Sequence, residues 1–240
     1  MRLTVLMPMG GLGKRFADAG YDTPKPLIDV DGKPMFLRAL ESFPSSWQIE
    51  HAFVIRADQD ERFNLKHLIE SACPGARVNV LHHNTRGAVE TCLAAKNEVN
   101  QNLPIIIADC DIRFKSAQYA AMAESGDYDG LLVGFHSHDP RYSFAELDSH
   151  GLVVRTAEKV AISEHALLGG YYFASAASFF NLADRFTSER LPKGLKEYYL
   201  SHLFNMMLAE GSRVGFAETD SYDIWGTPEE LASYLSGRER

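Results

Sequence analysis

The sequence predicts an α/β protein: a mostly parallel sheet with helices on both faces, followed by a mixed-sheet extension. Three observations carry this. Short β-rich runs alternate with amphipathic stretches through the first half, as parallel strands joined by crossover helices require. Leu3 to Met7 and Pro104 to Ala108 are unbroken apolar runs, which mark strands covered on both faces. After about Gly126 the alternation gives way to consecutive strand-like runs around a turn at Asp148-Ser149-His150-Gly151, a hairpin pattern.

In chain order, the predicted strands of the first half are Leu3 to Met7, His51 to Ile55, Arg77 to Leu81 and Pro104 to Ala108. Helices are predicted near Pro34 to Ser42, Glu61 to Ser71, Gly87 to Val99 and Ser116 to Glu124. In the second half, Gly130 to Phe135, Tyr142 to Leu147, Leu152 to Arg155, Leu167 to Phe173 and Val214 to Glu218 read as strands. Helices follow near Ala176 to Phe186 and Leu195 to Ala209, where Tyr198, Tyr199, Leu200, Leu203, Met206 and Met207 recur at helical spacing as a core face. The last helix starts at Thr227-Pro228-Glu229-Glu230: Thr227 caps it, Pro228 takes the first position and Glu230 closes a capping box.

The chain has 240 residues. At about 150 residues per domain that predicts one domain with two halves, residues 1–125 and 126–240. Twenty-four Lys and Arg against thirty-two Asp and Glu give a net charge of −8, which argues against non-specific nucleic-acid or anionic-membrane binding. Three cysteines with no CxxC pair do not make a disulfide framework and fit a reducing compartment. The N-terminal apolar run breaks at Pro8 and Gly10-Gly11, too early for a secretory leader, so a cytoplasmic protein is expected. His82-His83 and His136-x-His138 lack helical metal spacing and read as structural or solvated.

The first strand runs into Pro8-Met9-Gly10-Gly11-Leu12-Gly13-Lys14-Arg15-Phe16. Glycines let a backbone approach a phosphate and turn its N–H groups inward. The dinucleotide fingerprint fails, because Phe16 stands where its third glycine belongs. The P-loop fails too, because Arg15 follows Lys14 and Pro8 stands at its first glycine,. That disfavours a nicotinamide-dependent oxidoreductase. Thr23-Pro24-Lys25-Pro26-Leu27 follows closely. A lysine between prolines has little backbone freedom. Lys14, Arg15 and Lys25 thus gather three cations near one glycine loop of an acidic protein, which suits a triphosphate.

Gly11-x-Gly13-x-Arg15, then Pro24-Lys25-Pro26-Leu27, then Gly32-Lys33-Pro34-Met35, resembles the signature of the sugar-phosphate nucleotidyltransferases. With Pro8-Met9 before the glycines and Ala19-Gly20-Tyr21 after them, it is similar to members from capsule and surface-polysaccharide gene sets. The resemblance covers nearly the whole chain. It implies the Rossmann-like nucleotide-diphospho-sugar transferase fold, with the second half holding the acceptor. It makes Arg15 and Lys25 catalytic, and it sets Met9, Gly10, Gly11, Gly13 and Lys14 against the nucleotide. Thr85, Gly87 and Ala88, in Asn84-Thr85-Arg86-Gly87-Ala88, match the stretch lying against the nucleoside; read from the residues alone, this is a helix start capped by Thr85.

In Ala108-Asp109-Cys110-Asp111, Asp111 matches a metal ligand, and Asp109 stands where relatives often have a non-acidic residue. Asp223, before Gly226-Thr227, matches the second ligand of a Mg²⁺ ion, with Trp225 lengthening the usual spacing and Asp220 a neighbouring substitute. Glu158, Lys159 and Gly170 match the acceptor-binding Glu-Lys element and its Gly-x-Tyr-x-Phe strand; Val160 replaces the usual proline.

The resemblance implies an enzyme that joins a nucleoside triphosphate (CTP, UTP, dTTP or GTP) to a phosphorylated acceptor, first of all a sugar 1-phosphate, and releases pyrophosphate. Two alternatives stay open: a cytidylyltransferase for a small phosphorylated alcohol or amide such as phosphocholine, and a non-catalytic nucleotide-sugar sensor. Base, acceptor and self-association are not readable from these residues.

Overall fold

A computed structural model describes residues 1–191 and 194–237; residues 192–193 and 238–240, within the second half, lie outside the described residues. The first strand, β1 (Arg2–Met9), leads through a short helix α1 (Lys14–Asp18), a 3-10 turn over Lys25–Leu27 and the small pair β2 (Asp29–Val30) and β3 (Lys33–Pro34) into α2 (Met35–Leu40). Then come β4 (Gln48–Arg56), α3 (Ala57–Phe63), α4 (Leu65–Ala72), β5 (Arg77–Leu81), α5 (Ala88–Leu93), β6 (Ile105–Ala108), β7 (Ile112–Lys115) and α6 (Ala117–Ser125). The second half contains β8 (Gly130–His136), β9 (Ser143–Leu147), β10 (Val153–Glu158), β11 (His165–Leu167) and β12 (Gly170–Phe173). It closes with α7 (Ala176–Ser188), α8 (Ser201–Ala209), β13 (Val214–Glu218), β14 (Ser221–Ile224) and α9 (Pro228–Ser236).

The sheet order is β10-β9-β11-β8-β12-β6-β1-β4-β5, with β13 beside β8. β1, β4, β5 and β6 run parallel, with Leu6 opposite both Ala52 and Ile107. β12 joins β6 antiparallel and begins the mixed extension. The chain lays β4 and β5 on one side of β1, then returns to place β6 on the other. That reversal leaves a crevice above the carboxyl ends of β1 and β6, where ligands of such sheets bind.

Strand alternation divides the core between two faces. Leu6, Ile105, Ile107, Tyr171 and Phe173 point to α5, α7 and α8. Val5, Met7, Ile106, Ala108 and Tyr172 point to the face with Phe36, Leu65, Ile69 and Tyr119. A third, smaller cluster of Phe16, Ile28, Val30, Met35, Trp225 and Leu231 ties the glycine loop to the chain's last helix.

Local signals behave as their chemistry dictates. Ser116 and Ser175 cap α6 and α7 by accepting from Tyr119 N–H and Ser178 N–H. The capping box of Thr227 and Glu230 is formed. Four predictions need correction. The helix expected over Gly87 to Val99 ends at Leu93 and continues as turns. The helix expected over Glu61 to Ser71 breaks at Asn64, whose φ is +52°; asparagine tolerates that left-handed conformation. The single strand expected over Leu167 to Phe173 is two strands that separate at Leu168-Gly169. The helix expected from Leu195 starts only at Ser201, because residues 194–200 form turns and bends, with Tyr198 docked by its backbone beside Gly87. Tyr198 and Leu200 are buried nonetheless. No helix among the described residues is long and apolar enough to cross a membrane.

Candidate active site

The crevice is built from loops that leave β1 and β6 at the same level. After Met9 the chain turns through the glycines; after Ala108 it turns through Asp109-Cys110-Asp111. The glycines differ in purpose. Gly10 is buried, and a Cβ there would meet Thr91 Cγ2 at 2.9 Å and Leu81 Cδ1 at 3.0 Å. Gly10 therefore seats the loop on α5. A Cβ on Gly11 would meet nothing within 4 Å, so its backbone is open to a ligand. Gly13 precedes α1 at φ +61°, a conformation that favours glycine. Lys14 and Arg15 are exposed, with no hydrogen-bond or ion-pair partner among the described residues. Met9 is 3% exposed and its side chain belongs to the core.

Lys25 reaches across from its 3-10 turn and bonds Asp111. Both side chains are mostly buried, at 22% and 17% exposure. Burial alone would lower the Lys25 pKa; Asp111, Cys110 and Asp109 together outweigh it and raise it. The ammonium is thus held charged beside the glycine loop, with its Cβ 3.6 Å from where a Gly13 Cβ would stand. Burial first, then Asp111, pushes the Cys110 thiol up to about 12. Cys110 stays protonated and is no nucleophile.

Asp109 follows directly on β6. It sits opposite Gly169, and its N–H donates to Gly169 C=O at 3.1 Å. A Cβ on residue 169 would stand 2.3 Å from Asp109 Oδ2, so the glycine makes room for this carboxyl. Burial, then Asp111 and Glu158 against the opposing Lys25, pushes the carboxyl up to about 7. Tyr171 lies beneath on the same face, its phenol raised well above the usual value by burial and by Asp109 and Glu158.

Glu158 ends β10 with its side chain 9% exposed. It accepts hydrogen bonds from Ser143 Oγ and, at 3.0 Å, from Ser201 Oγ. Lys159 adopts a left-handed φ of +56° that turns its side chain back over Tyr199. Its Nζ donates to Tyr199 Oη at 3.0 Å and stands 4.6 Å from the ring centroid. Burial lowers and Tyr199, Glu158 and Glu197 raise the Lys159 pKa, with a net rise.

The glycines expected at the acceptor and at the nucleoside have packing roles. Gly170 is buried in β12, where a Cβ would strike the Phe114 ring at 2.7 Å; it does not face the crevice, and Gly169 does. Gly87 caps α5 at φ +136°, and its Cβ would meet Tyr198 N at 2.7 Å and O at 2.8 Å. Its absent side chain lets the 194–200 segment dock: Tyr198 N–H donates to Arg86 C=O and Val89 N–H to Tyr198 C=O. Thr85 caps no helix. Its hydroxyl pairs with that of Thr91 at 2.6 Å, and Thr91 packs on Gly10. Ala88 opens α5 beside them.

Among the described residues no bond joins Asp223 to Asp111. On the β7–β14 ribbon Asp223 stands opposite Arg113. Arg113 donates to its Oδ2 from Nε at 2.9 Å and Nη2 at 2.6 Å. Trp225 is the residue facing Asp111, through a 2.8 Å bond from its N–H to Asp111 C=O. The extra residue in the spacing is this tryptophan, whose ring fills the small third cluster. Instead, Glu230 approaches: Asp111 Oδ2 and Glu230 Oε2 each stand 3.1 Å from the position a Gly226 Cβ would take. Glu230 is itself paired with Arg141 at 2.8 Å. No spacing in the sequence signals Arg113, Arg141 or Tyr199; each becomes visible only once β7, the loop before β9 and the 194–200 segment are placed.

The donor set can be tested against a metal ion. Magnesium keeps several waters and takes one or two carboxylates together with substrate phosphates. Asp111 fits that role beside the glycine loop. Asp223 is held by Arg113, as Asp111 is held by Lys25.

The chain matches the nucleotidyl transferase family over residues 4–231, and it belongs to that family. It is a nucleotidyltransferase. Among solved structures it is similar to a nucleoside-diphosphate-sugar pyrophosphorylase from Vibrio cholerae RC9, with 23% identity, a TM-score of 0.84, and 97% of this chain and 99% of that one covered. It is also similar to a UDP-glucose pyrophosphorylase solved with UDP-glucose, with 16% identity, a TM-score of 0.73 and both chains fully covered. No curated protein sequence matches it. The mixed α/β fold expected from the sequence is the fold of these structures.

Proposed function

We propose that this nucleotidyltransferase joins a nucleoside triphosphate to a phosphorylated acceptor, first of all a sugar 1-phosphate, and releases pyrophosphate. The observation that carries this reading is the pairing of Lys25 with Asp111 at the strand-order reversal. A cation for phosphate and a carboxylate for metal are stored there as an ion pair until substrate separates them. Likeness to the two pyrophosphorylases supports a sugar phosphate as acceptor, and Pro8-Met9 with Ala19-Gly20-Tyr21 supports a setting in cytoplasmic surface-polysaccharide synthesis.

The acceptor phosphate is ionised near pH 7 and needs no general base. The barrier is repulsion between anions and charge growing on the leaving oxygens, so positioning and electrostatics do the catalysis. The open backbone at Gly11 and Gly13, with Lys14 and Arg15, cradles the triphosphate. Lys25 holds its charge at the α-phosphate as pyrophosphate leaves. Lys159 receives the acceptor phosphate and aims one of its oxygens at the α-phosphorus from the side opposite the leaving group. Thr85 and Ala88 border the nucleoside. Asp111 would hold a magnesium ion, which supplies neutralising charge to the phosphates when bound.

The test is pyrophosphate release with Mg²⁺, crossing CTP, UTP, GTP, dTTP and ATP with sugar 1-phosphates and with phosphocholine. Release that needs both substrates is the expected result and fixes base and acceptor together. Triphosphate binding without release from any pair would sink the enzyme reading and favour a sensor.

A further inference from the structure

We infer that Thr91 is a positioning residue for the nucleotide: its buried hydroxyl fixes the glycine loop and the 84–88 loop against each other, so that one substrate can be held by both. This rests on the nucleotide site proposed above and goes beyond it by naming what sets the distance between its two parts.

Three observations lead here. First, Thr91 acts only through its neighbours, because its side chain in α5 is 3% exposed. Second, that side chain meets both loops. Its Cγ2 and Oγ1 stand 2.9 and 3.1 Å from where a Gly10 Cβ would be, so the backbone leaving β1 rests directly on it. The same Oγ1 pairs with Thr85 Oγ1 at 2.6 Å and donates to Gly87 C=O at 3.1 Å. The two loops leave strands separated by β4. They leave at one level, since Met9 lies opposite Ile55 and Ile55 opposite Val80. Third, packing alone would not call for a hydroxyl. Leu81, Val89 and Cys92 beside Thr91 belong to the apolar core, where a valine would fill nearly the same volume. A methyl group supplies contact, whereas a hydrogen bond fixes distance and direction. Among the described residues the pair with Thr91 is the hydrogen bond that holds the Thr85 side chain.

A nucleoside triphosphate spans both loops, with its phosphates on the first and its nucleoside beside the second. Two linked parts reinforce each other only when the protein presents both subsites at the matching separation. An error of about 1 Å in that separation weakens the whole ligand while leaving each part able to bind alone. Thr91 sets the separation.

Calorimetric titration in Mg²⁺ would compare wild type, Thr91→Val and Thr91→Ser. The probes are the nucleoside triphosphate that binds wild type most tightly, inorganic tripolyphosphate and the matching nucleoside, the last two read by displacement. The expected result is a triphosphate Kd weaker by about tenfold or more in Thr91→Val, with tripolyphosphate and nucleoside each changed less than about threefold. Thr91→Ser keeps the hydroxyl and should stay within about threefold of wild type for all three probes. Comparison of Thr91→Ala with Thr91→Ser reads the hydroxyl in the same way should the valine variant not fold. Unchanged triphosphate affinity in Thr91→Val overturns the inference. So does a loss shared in step by tripolyphosphate and nucleoside, or an equal loss in Thr91→Ser, either of which marks a packing role. If no triphosphate binds wild type, the proposed nucleotide site fails and this inference with it. If one binds and no acceptor yields pyrophosphate, only the enzyme reading fails, and the three titrations still decide the role of Thr91.

Discussion

Arg113 holds Asp223 through two hydrogen bonds to one carboxylate oxygen, 2.9 Å from Nε and 2.6 Å from Nη2. The guanidinium also reaches Glu41 at 3.1 Å and Tyr234 Oη at 3.3 Å. This network ties the β7–β14 ribbon to Glu41, just after α2, and to α9, and it engages the Asp223 carboxylate with a guanidinium. Asp223→Asn should therefore leave the Mg²⁺ concentration for half-maximal pyrophosphate release within about twofold of wild type, while costing about 1–2 kcal/mol of stability from a partly exposed pair. A tenfold rise in the Mg²⁺ requirement, without loss of folded protein, would return Asp223 to the metal.

Lys25 and Asp111 behave in the opposite way. Each acts on phosphate charge in the transition state, so Lys25→Met and Asp111→Asn should each lower turnover by about 10²-fold or more. Steady-state rates of pyrophosphate release decide this. Near-normal turnover in either variant contradicts its assignment.

Lys159 acts on one substrate only. Lys159→Ala should raise the acceptor KM by about tenfold, the cost of one charge-assisted contact, and leave the triphosphate KM unchanged. Two-substrate kinetics separate the effects, and a matching rise in the triphosphate KM would move Lys159 to the nucleotide side.

Glu41 gives a pH signature. Burial opposes its ionisation, but Lys33, Arg113 and Arg38 outweigh it and lower its pKa from 4.5 to about 2. A carboxyl whose pKa is depressed on folding contributes stability above its unfolded value and loses it as pH falls through the folded one. Wild type should thus exceed Glu41→Gln by about 1–2 kcal/mol at pH 7, after allowance for solvent screening of this partly exposed side chain. The gap should close between pH 4.5 and about 2. Urea denaturation across that range measures it; a constant gap would show that Glu41 acts by packing alone.

Gly87 and Tyr198 make a stability test of the 194–200 segment. Gly87→Ala forces a side chain into backbone atoms 2.7 and 2.8 Å away and keeps a φ of +136°. A loss of about 2 kcal/mol or more is expected. Gly11→Ala, with open space around it, should leave the denaturation midpoint unchanged. Equal stability of the two variants would contradict the docking role.

The parallel half was legible because apolar runs such as Ile105-Ile106-Ile107 can satisfy both covered faces only as central strands. The cations Lys14, Arg15 and Lys25 were legible because prolines and glycines fix their local backbone. Roles that depend on long-range register were not. Gly87, Gly169 and Gly170 look alike in sequence, yet their neighbours are Tyr198, Asp109 and Phe114. Asp223 matches a metal position by order along the chain, but Trp225 shifts the register and sets Arg113 opposite it. The Tyr198 stretch has helical apolar spacing, and contact with Gly87 overrides it.

The central claim is attack of an acceptor phosphate on the α-phosphorus above β1 and β6. Its most direct test runs the productive triphosphate in two labelled forms, α-³²P and γ-³²P, with the productive acceptor, and separates the products. The account predicts α label in the nucleotide-activated acceptor, γ label in pyrophosphate, and neither transfer in Lys25→Met above about 1% of wild type. Label from the γ position on the acceptor, or α label left in a free nucleotide, would contradict it.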